Sequence, residues 1–416
     1  MSSPWRSSPK MKSLSEVFGT IPVPEGKGFW QNLRAFMGPG FLVAVGYMDP
    51  GNWATDLAGG ASFGYTLLSV ILVSSIFAIV LQHLALKLGV ASGRDLAQAC
   101  GDAFSKPVAI FLWLVCELAI AACDLAEVIG SALALQLLFG IPILAGIVIT
   151  ILDVFLILYF QNKGFKVIES IVLSLLIVIV CCFAYELFIS QPSIAGIVGG
   201  LIPQTSVVMN PSQLYVAIGI LGATVMPHNL YLHSSIVQTR AIKDTDEDKE
   251  KAIKYATWDS TISLGFAFFI NAGILILAAA AFHGNNLKLV ADIRDAYQLL
   301  DPVLGSKLAS ILFAVALLAS GQNATLTGTL AGQIVMEGFL DLRIAPWLRR
   351  LITRLIAIIP AFFITWIYGE SKIGELLVFS QVVLSMQLSF AVIPLVLFTG
   401  DEQKMGKFAN SALLQG

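Results

Sequence analysis

The sequence predicts an all-α polytopic membrane protein, built as two five-helix repeats related by inversion, with the first and sixth helices broken in the middle. Three observations predict it. The 416 residues are 57% hydrophobic and 12% charged, with a mean hydropathy of +0.82, about half the charge of a soluble domain. The apolar runs are continuous, as in FLWLVCELAIAAC and IVLSLLIVIVCCFAYELF, whereas barrel strands would alternate in polarity over about ten residues. Two of these runs are interrupted at their centres by one shared pattern, GYMDPGN and ATVMPHN.

A window of about 20 residues gives ten spans, at 36–64, 66–88, 107–138, 143–160, 166–189, 213–239, 256–282, 304–334, 348–368 and 374–398. The expected organisation is an N-terminal tail (1–35), a first repeat (36–189), an external loop (190–212), a second repeat (213–398) and a C-terminal tail (399–416). Of the 25 lysines and arginines, this scheme puts twenty on the cytoplasmic side and four outside, and leaves Arg354 within a span. That asymmetry predicts a multi-pass protein of the cell membrane with both termini in the cytoplasm.

The first thirty residues are polar and rich in Ser and Pro, so they read as a mobile tail rather than a signal peptide. The stretch KDTDEDKEKAIK reads as a solvated loop between the sixth and seventh spans. The net charge of -2 gives no indication of nucleic acid. The five cysteines form no C-x-x-C pair and read as small apolar fillers.

Asp49-Pro50-Gly51-Asn52 would be good turn chemistry on a surface. Length argues otherwise. The apolar stretches on either side have about 13 residues each, too few to cross a bilayer alone. Together they make one span with a broken middle, which is tolerated only where it is buried in protein or lines a cavity. Aligning the second break on the first gives an offset of 177 residues and sets Met226 against Asp49. Five spans separate the two starts, and an odd number places the second copy upside down. Discontinuous helices in such repeats form a substrate site near the bilayer midplane.

The prolines remove backbone donors, so carbonyls near Gly46 and Ala223 should lose their helical partners. These carbonyls, the Asp49 carboxylate, the Asn52 side-chain oxygen and the Met226 thioether would converge. A carboxylate at the centre of a span costs about 2.5–3.5 kcal/mol on insertion scales, so a compensating cation is expected. Oxygens alone suit Mg²⁺ or Ca²⁺, whereas a thioether favours softer transition metals. Met226 is therefore the expected selectivity residue.

At these residues the sequence resembles the Nramp family of divalent metal-ion transporters, through DPGNWATD (49–56) and MPHNLYLHSS (226–235). The resemblance covers essentially the whole chain. It implies a LeuT-type fold and proton-coupled import of Mn²⁺ and Fe²⁺, and also of Cd²⁺ and Co²⁺, as transported substrates with no bound cofactor. It implies coordination by Asp49, Asn52, Met226 and the Ala223 carbonyl, with the Gly46 carbonyl and the Gln381 amide joining in other conformations. Family members commonly continue into an eleventh or twelfth span. Here the tenth is followed by KMGKFANSALLQG, which has the look of a truncation.

Buried ionisable groups mark the expected proton route. Glu117, Asp124 and Glu127 share one face of the third span, and Arg354 offers a counter-charge, with Arg349 and Arg350 nearer the cytoplasm. The resemblance makes Asp49 the first acceptor and Asp124 with Glu127 the relay; pairing with arginines to hold helices together is the alternative. His228 is read as a relay or a packing group. His233 is read as structural or as lining the inner route. Asp56 and Glu375 are expected near the external mouth, and the polar eighth span is expected to allow close packing.

An amino-acid or organic-cation symporter would share this fold, but Asp49 would repel a substrate carboxylate. A membrane metalloprotease would want H-E-x-x-H, which His83, His228, His233 and His283 do not supply. The expectation is a non-enzymatic, monomeric transporter of metal ions and protons in a lipid bilayer.

Overall fold

The computed structural model describes residue 5, residues 12–14, 17–23, 28–153, 159, 165–283, 293–342 and 344–411. Among these the structure is helical, with one isolated bridge between Ile21 and Arg240.

A short amphipathic helix, α1 (Phe29–Phe36), leads into the first broken span, α2 (Pro39–Gly46) and α3 (Pro50–Phe63). Then come α4 (Leu68–Ser92), the short α5 (Leu96–Ala103), α6 (Lys106–Phe139), α7 (Ile143–Ile149) and α8 (Phe165–Ser190). The second broken span is α9 (Pro211–Thr224) and α10 (Pro227–Ile236). Four further long helices follow, α11 (Asp246–Ala278), α12 (Lys307–Leu340), α13 (Pro346–Tyr368) and α14 (Ile373–Gly400). Of the fourth expected span, residues 154–158 and 160 lie outside the described residues, as do the side chains of Arg349 and Arg350.

Capping chemistry sets the ends of these helices. Pro50 and Pro227 open the second halves of the broken spans at the first helical position, where a missing N–H costs nothing and φ is already helical. Asp95 and Gln98 form a reciprocal capping box at the start of α5, which satisfies two otherwise orphaned donors. Glycine in the left-handed conformation closes α4 at Gly93 and α6 at Gly140.

Small residues bring the helices together. Gly222 on α9 lies so close to the Gln381 carbonyl on α14 that a Cβ would collide with it, and Gly130 on α6 packs against the Pro50 ring in the same way. The polar eighth span is used as expected: Gly321 on α12 faces Ser131, and Gly328 faces Asp124 and Glu127 on α6.

Two regions differ from the sequence reading. The described part of the N-terminal segment is docked, not free. Leu14 and Ile21 are buried, Leu14 N donates to Glu337 Oε2 on α12 (3.1 Å), and Gly19 N and Ile21 N donate to the Gln238 and Thr239 carbonyls beyond α10 (both 3.0 Å). Trp5 packs edge-on against Phe398, with the Arg94 guanidinium 4.7 Å from its ring centroid. Scattered apolar residues in a polar segment carry no periodic signal, so this docking left no mark in composition. The charged stretch after α10 is helical from Asp246, capped by Thr245. Its three acidic residues in the first turn complement the helix dipole, a local effect that charge density conceals.

Candidate metal site at the crossing of two broken helices

Asp49 and Met226 are the N-cap residues of α3 and α10, and both are in extended backbone. Four residues after Gly46 comes Pro50, and four after Ala223 comes Pro227. In both places the residue that should donate to the carbonyl is a proline, which has no N–H. In the first break the next two carbonyls are satisfied by side chains. Asn271 Nδ2 on α11 donates to the Tyr47 carbonyl (2.8 Å), and Trp53 Nε1 (3.2 Å) and Ser320 Oγ donate to the Met48 carbonyl. Irregular backbone at membrane depth persists because the surrounding protein meets its hydrogen bonds.

Asp49 Oδ1 accepts from Asn52 N (2.8 Å) and from Asn52 Nδ2 (2.7 Å), and Asn52 Nδ2 also donates to the Ala223 carbonyl (2.9 Å). One amide therefore ties the first break to the sixth. Asn52 Oδ1 accepts from Asn271 Nδ2 (3.3 Å). Asn229 lies at the position in the second break that matches Asn52; its Nδ2 reaches towards Val43 O (3.5 Å) and Met226 Sδ (3.7 Å). That amide crowds Gly46 so closely that no Cβ would fit there, which explains the glycine. Gln381 rests against Gly51 in the same manner. Asp49, Asn52, Ala223, Met226 and Gln381 are all buried. The structure thus joins Asp49, Asn52 and the Ala223 carbonyl by hydrogen bonds, and places Gly46 and Met226 against Asn229 and Gln381 against Gly51.

Turning the Asn52 amide over exchanges donor for acceptor. Asp49 Oδ1, Asn52 Oδ1 and the Ala223 carbonyl would then face one point from neighbouring directions. Oxygens about 2.1 Å from an octahedral ion lie about 3 Å apart, close to the 2.7 and 2.9 Å seen here. Among the described residues no three His, Cys, Asp or Glu side chains cluster as a metal site, so a bound ion would depend on this mixed set.

Beyond Asp49 lie the acids of α6. Asp124 and Glu127 are buried, and Arg354 on α13 pairs with Glu127 (3.5 Å) and donates to Thr325 Oγ1 (2.6 Å). Glu117 stands apart from them. It is half-buried, two turns back along α6, and accepts from Trp113 Nε1 (3.1 Å). On the opposite side of the break, His233 Nδ1 meets Gln82 Oε1 (2.9 Å), and Gln82 Nε2 donates to the Tyr47 hydroxyl (2.6 Å). This chain links α10 and α4 to the residue two before Asp49. His228 is buried with Nδ1 unpartnered among the described residues.

Asp56 does not lie at an open mouth. It is buried two turns along α3, with Oδ2 unpartnered among the described residues, because close packing closes over that length of α3. Glu375 is exposed, pairs with Lys372 (2.5 Å), and lines a cavity of about 890 Å³ that also touches Phe63, Tyr215 and Phe379.

The sequence reading missed Asn271, Asn229 and Cys123. Asn271 was detectable as a lone amide within the apolar run FAFFINAGILIL. Cys123 is not only an apolar filler: its Sγ lies 4.0 Å from Asp49 Oδ2 and 3.6 Å from Glu127 Oε1.

Residues 40–416 match the model of the natural resistance-associated macrophage protein-like (Nramp) family. The chain belongs to the Nramp family. It is 62% identical over 411 residues to the divalent metal cation transporter MntH of Listeria innocua, covering 99% of this chain and 92% of that protein. A crystal structure of a mutant manganese transporter from Eremococcus coleocola superposes with a TM-score of 0.90 at 43% identity, covering 97% of this chain and 87% of that one. At 15% identity, Mhp1, a nucleobase-cation-symport-1 family transporter, superposes with a TM-score of 0.58 over 82% of this chain and 74% of its own. That likeness is one of fold. The Nramp chain is an integral membrane protein of LeuT-type architecture, with five plus five helices and the first and sixth broken.

Proposed function

We propose that this Nramp chain imports divalent transition-metal ions, Mn²⁺ and Fe²⁺ with Cd²⁺ and Co²⁺ also accepted, by alternating access coupled to protons. The observation that carries the proposal is the Asn52 amide bridging Asp49 Oδ1 and the Ala223 carbonyl beside Met226. Its relatives are named as divalent metal cation and manganese transporters, which supports the cargo. In this reading Asp49 supplies charge, Asn52 and the Ala223 carbonyl supply neutral oxygens, and Met226 supplies the sulfur that disfavours Ca²⁺ and Mg²⁺. The Gly46 carbonyl and Gln381 join as the two half-helices move.

Protons released near Asp49 pass to Glu127 and Asp124, with Arg354 balancing their charge; buried acids of this kind are natural proton carriers. The Tyr47–Gln82–His233 chain parts when the inner route opens, and His228 lies beside that route. Lysine and arginine placement supports a cytoplasmic N-terminus in the cell membrane, and the protein acts as a monomer.

The test uses purified protein in sealed liposomes, with Mn²⁺ entry and internal pH followed together. Metal entry with acidification is expected. Metal entry with no pH change would overturn the proton coupling, and no entry by folded protein would overturn the cargo.

A further inference from the structure

The coordination described above has one sulfur, Met226, and leaves Cys123 without a role. Cys123 is buried on α6, and it packs in one cluster with Met226, Ala119 and Leu384. Asp49 commits Oδ1 to Asn52, and the thiol faces the other oxygen, with Sγ 4.0 Å from Oδ2. A second side chain borders the same oxygen. A Cβ built on Gly51 would lie 3.0 Å from Asp49 Oδ2 and would overlap the Gln381 amide, so that amide lies beside the carboxylate. Gln381 is fully buried and its Oε1 has no hydrogen-bond partner among the described residues. The Cys123 thiol and the Gln381 amide therefore lie beside Asp49 Oδ2, the oxygen turned away from Asn52, and the Met226 thioether packs against Cys123.

We infer that Cys123 Sγ is a second sulfur ligand, used by thiophilic divalent ions of the Cd²⁺ class together with Asp49 Oδ2 and Met226. The inference rests on the reading that Asp49 and Met226 hold the cargo. Around a tetrahedral zinc ion an oxygen and a sulfur bound at about 2.1 and 2.3 Å lie about 3.6 Å apart, and the larger Cd²⁺ ion spreads them further. The observed 4.0 Å separation needs only a small side-chain adjustment to match. As the S–metal bond forms, the S–H bond breaks, and its proton passes to the Glu127 carboxylate, whose Oε1 is 3.6 Å from Sγ. No electrons are exchanged. Mn²⁺, the weakest binder of the transition-metal series, gains little from a second sulfur beyond Met226 and stays on the oxygen side of the site. One cavity thus offers two binding modes, an oxygen-rich one towards Ala223 and a sulfur-rich one towards α6.

Cd²⁺ and Mn²⁺ are titrated separately into purified full-length protein, the ultraviolet sulfur-to-cadmium charge-transfer band being read for Cd²⁺. The exposed Cys181 is replaced by serine throughout. The band should saturate at one equivalent. Cys123→Ser should abolish it and weaken Cd²⁺ binding about tenfold or more, while Mn²⁺ affinity changes by no more than about twofold. An unchanged band with unchanged Cd²⁺ affinity would overturn the assignment, and so would an equal loss of both metals in Cys123→Ser and Cys123→Ala, which would make the thiol a packing group. Asp49→Ala separates the two readings. If it loses both metals while Cys123→Ser keeps Cd²⁺, only the sulfur assignment falls; if it keeps both, the site itself is elsewhere.

Discussion

The two broken helices share one backbone solution and differ in the chemistry they contribute. In each, an extended N-cap residue precedes a proline, and the carbonyl four residues before that proline loses its helical donor. In each, an asparagine two residues after the proline reaches across to the other break: Asn52 to the Ala223 carbonyl, Asn229 up against Gly46. The difference lies at the N-cap. Asp49 caps its own helix by accepting from Asn52 N, whereas Met226 makes no side-chain cap. The first break therefore brings a hard, charged side chain already held in place, and the second brings a soft, neutral one held by packing. In the proposed site, pairing unlike halves would give both charge for a cation and discrimination among cations, which two identical halves could not supply.

The comparison is broken most severely at Asp49. Asp49→Ala should weaken Mn²⁺ binding by at least about a hundredfold, since it removes the site's anionic ligand; calorimetry on purified protein reads it, and near-normal binding would remove the site. Next comes Asn52→Ala, at about tenfold to a hundredfold, because a ligand and the tie to Ala223 are lost together. Asp124→Asn should leave Mn²⁺ binding within about twofold while greatly reducing metal-driven acidification of liposomes. Equal losses in the two measurements would reduce the α6 acids to structural groups. The smallest effect is expected at the matching asparagine. Asn229→Ala should cost only about twofold to threefold in affinity, because its amide supports Gly46 and Met226 without facing the ion. If Asn229→Ala matched Asn52→Ala, the two breaks would be chemically equivalent and the asymmetry argued here would be wrong.

The helices and the breaks were legible because both are local. A run of apolar residues sets a span, and proline two residues before asparagine sets a break; neither needs a distant partner. Asp49, Asn52, Ala223 and Met226 were readable for the same reason, since each lies within a few residues of a proline. Contacts between distant residues were not. Asn271 holds Asn52 across 219 positions, and Cys123 reaches Asp49 across 74. Periodicity says that such residues face inward but not which neighbour they meet. Glu117 shows the converse, since it shares a face with Asp124 and Glu127 yet hydrogen-bonds to Trp113. The docked N-terminal segment was invisible because its anchors, Trp5, Leu14 and Ile21, are isolated apolar residues in polar surroundings. The burial of Asp56 was not legible because a signature motif places a residue in sequence, while its burial depends on helices packed from elsewhere.

The central claim is that the Met226 sulfur, added to the Asp49 charge, decides which ions the site accepts. The most direct measurement is Mn²⁺ uptake into liposomes with excess Ca²⁺, for the parent and for Met226→Ala. The account predicts that Ca²⁺ leaves uptake by the parent unchanged and suppresses uptake by Met226→Ala, with Ca²⁺ itself entering only through the variant. Exclusion of Ca²⁺ by Met226→Ala as complete as the parent's would contradict it.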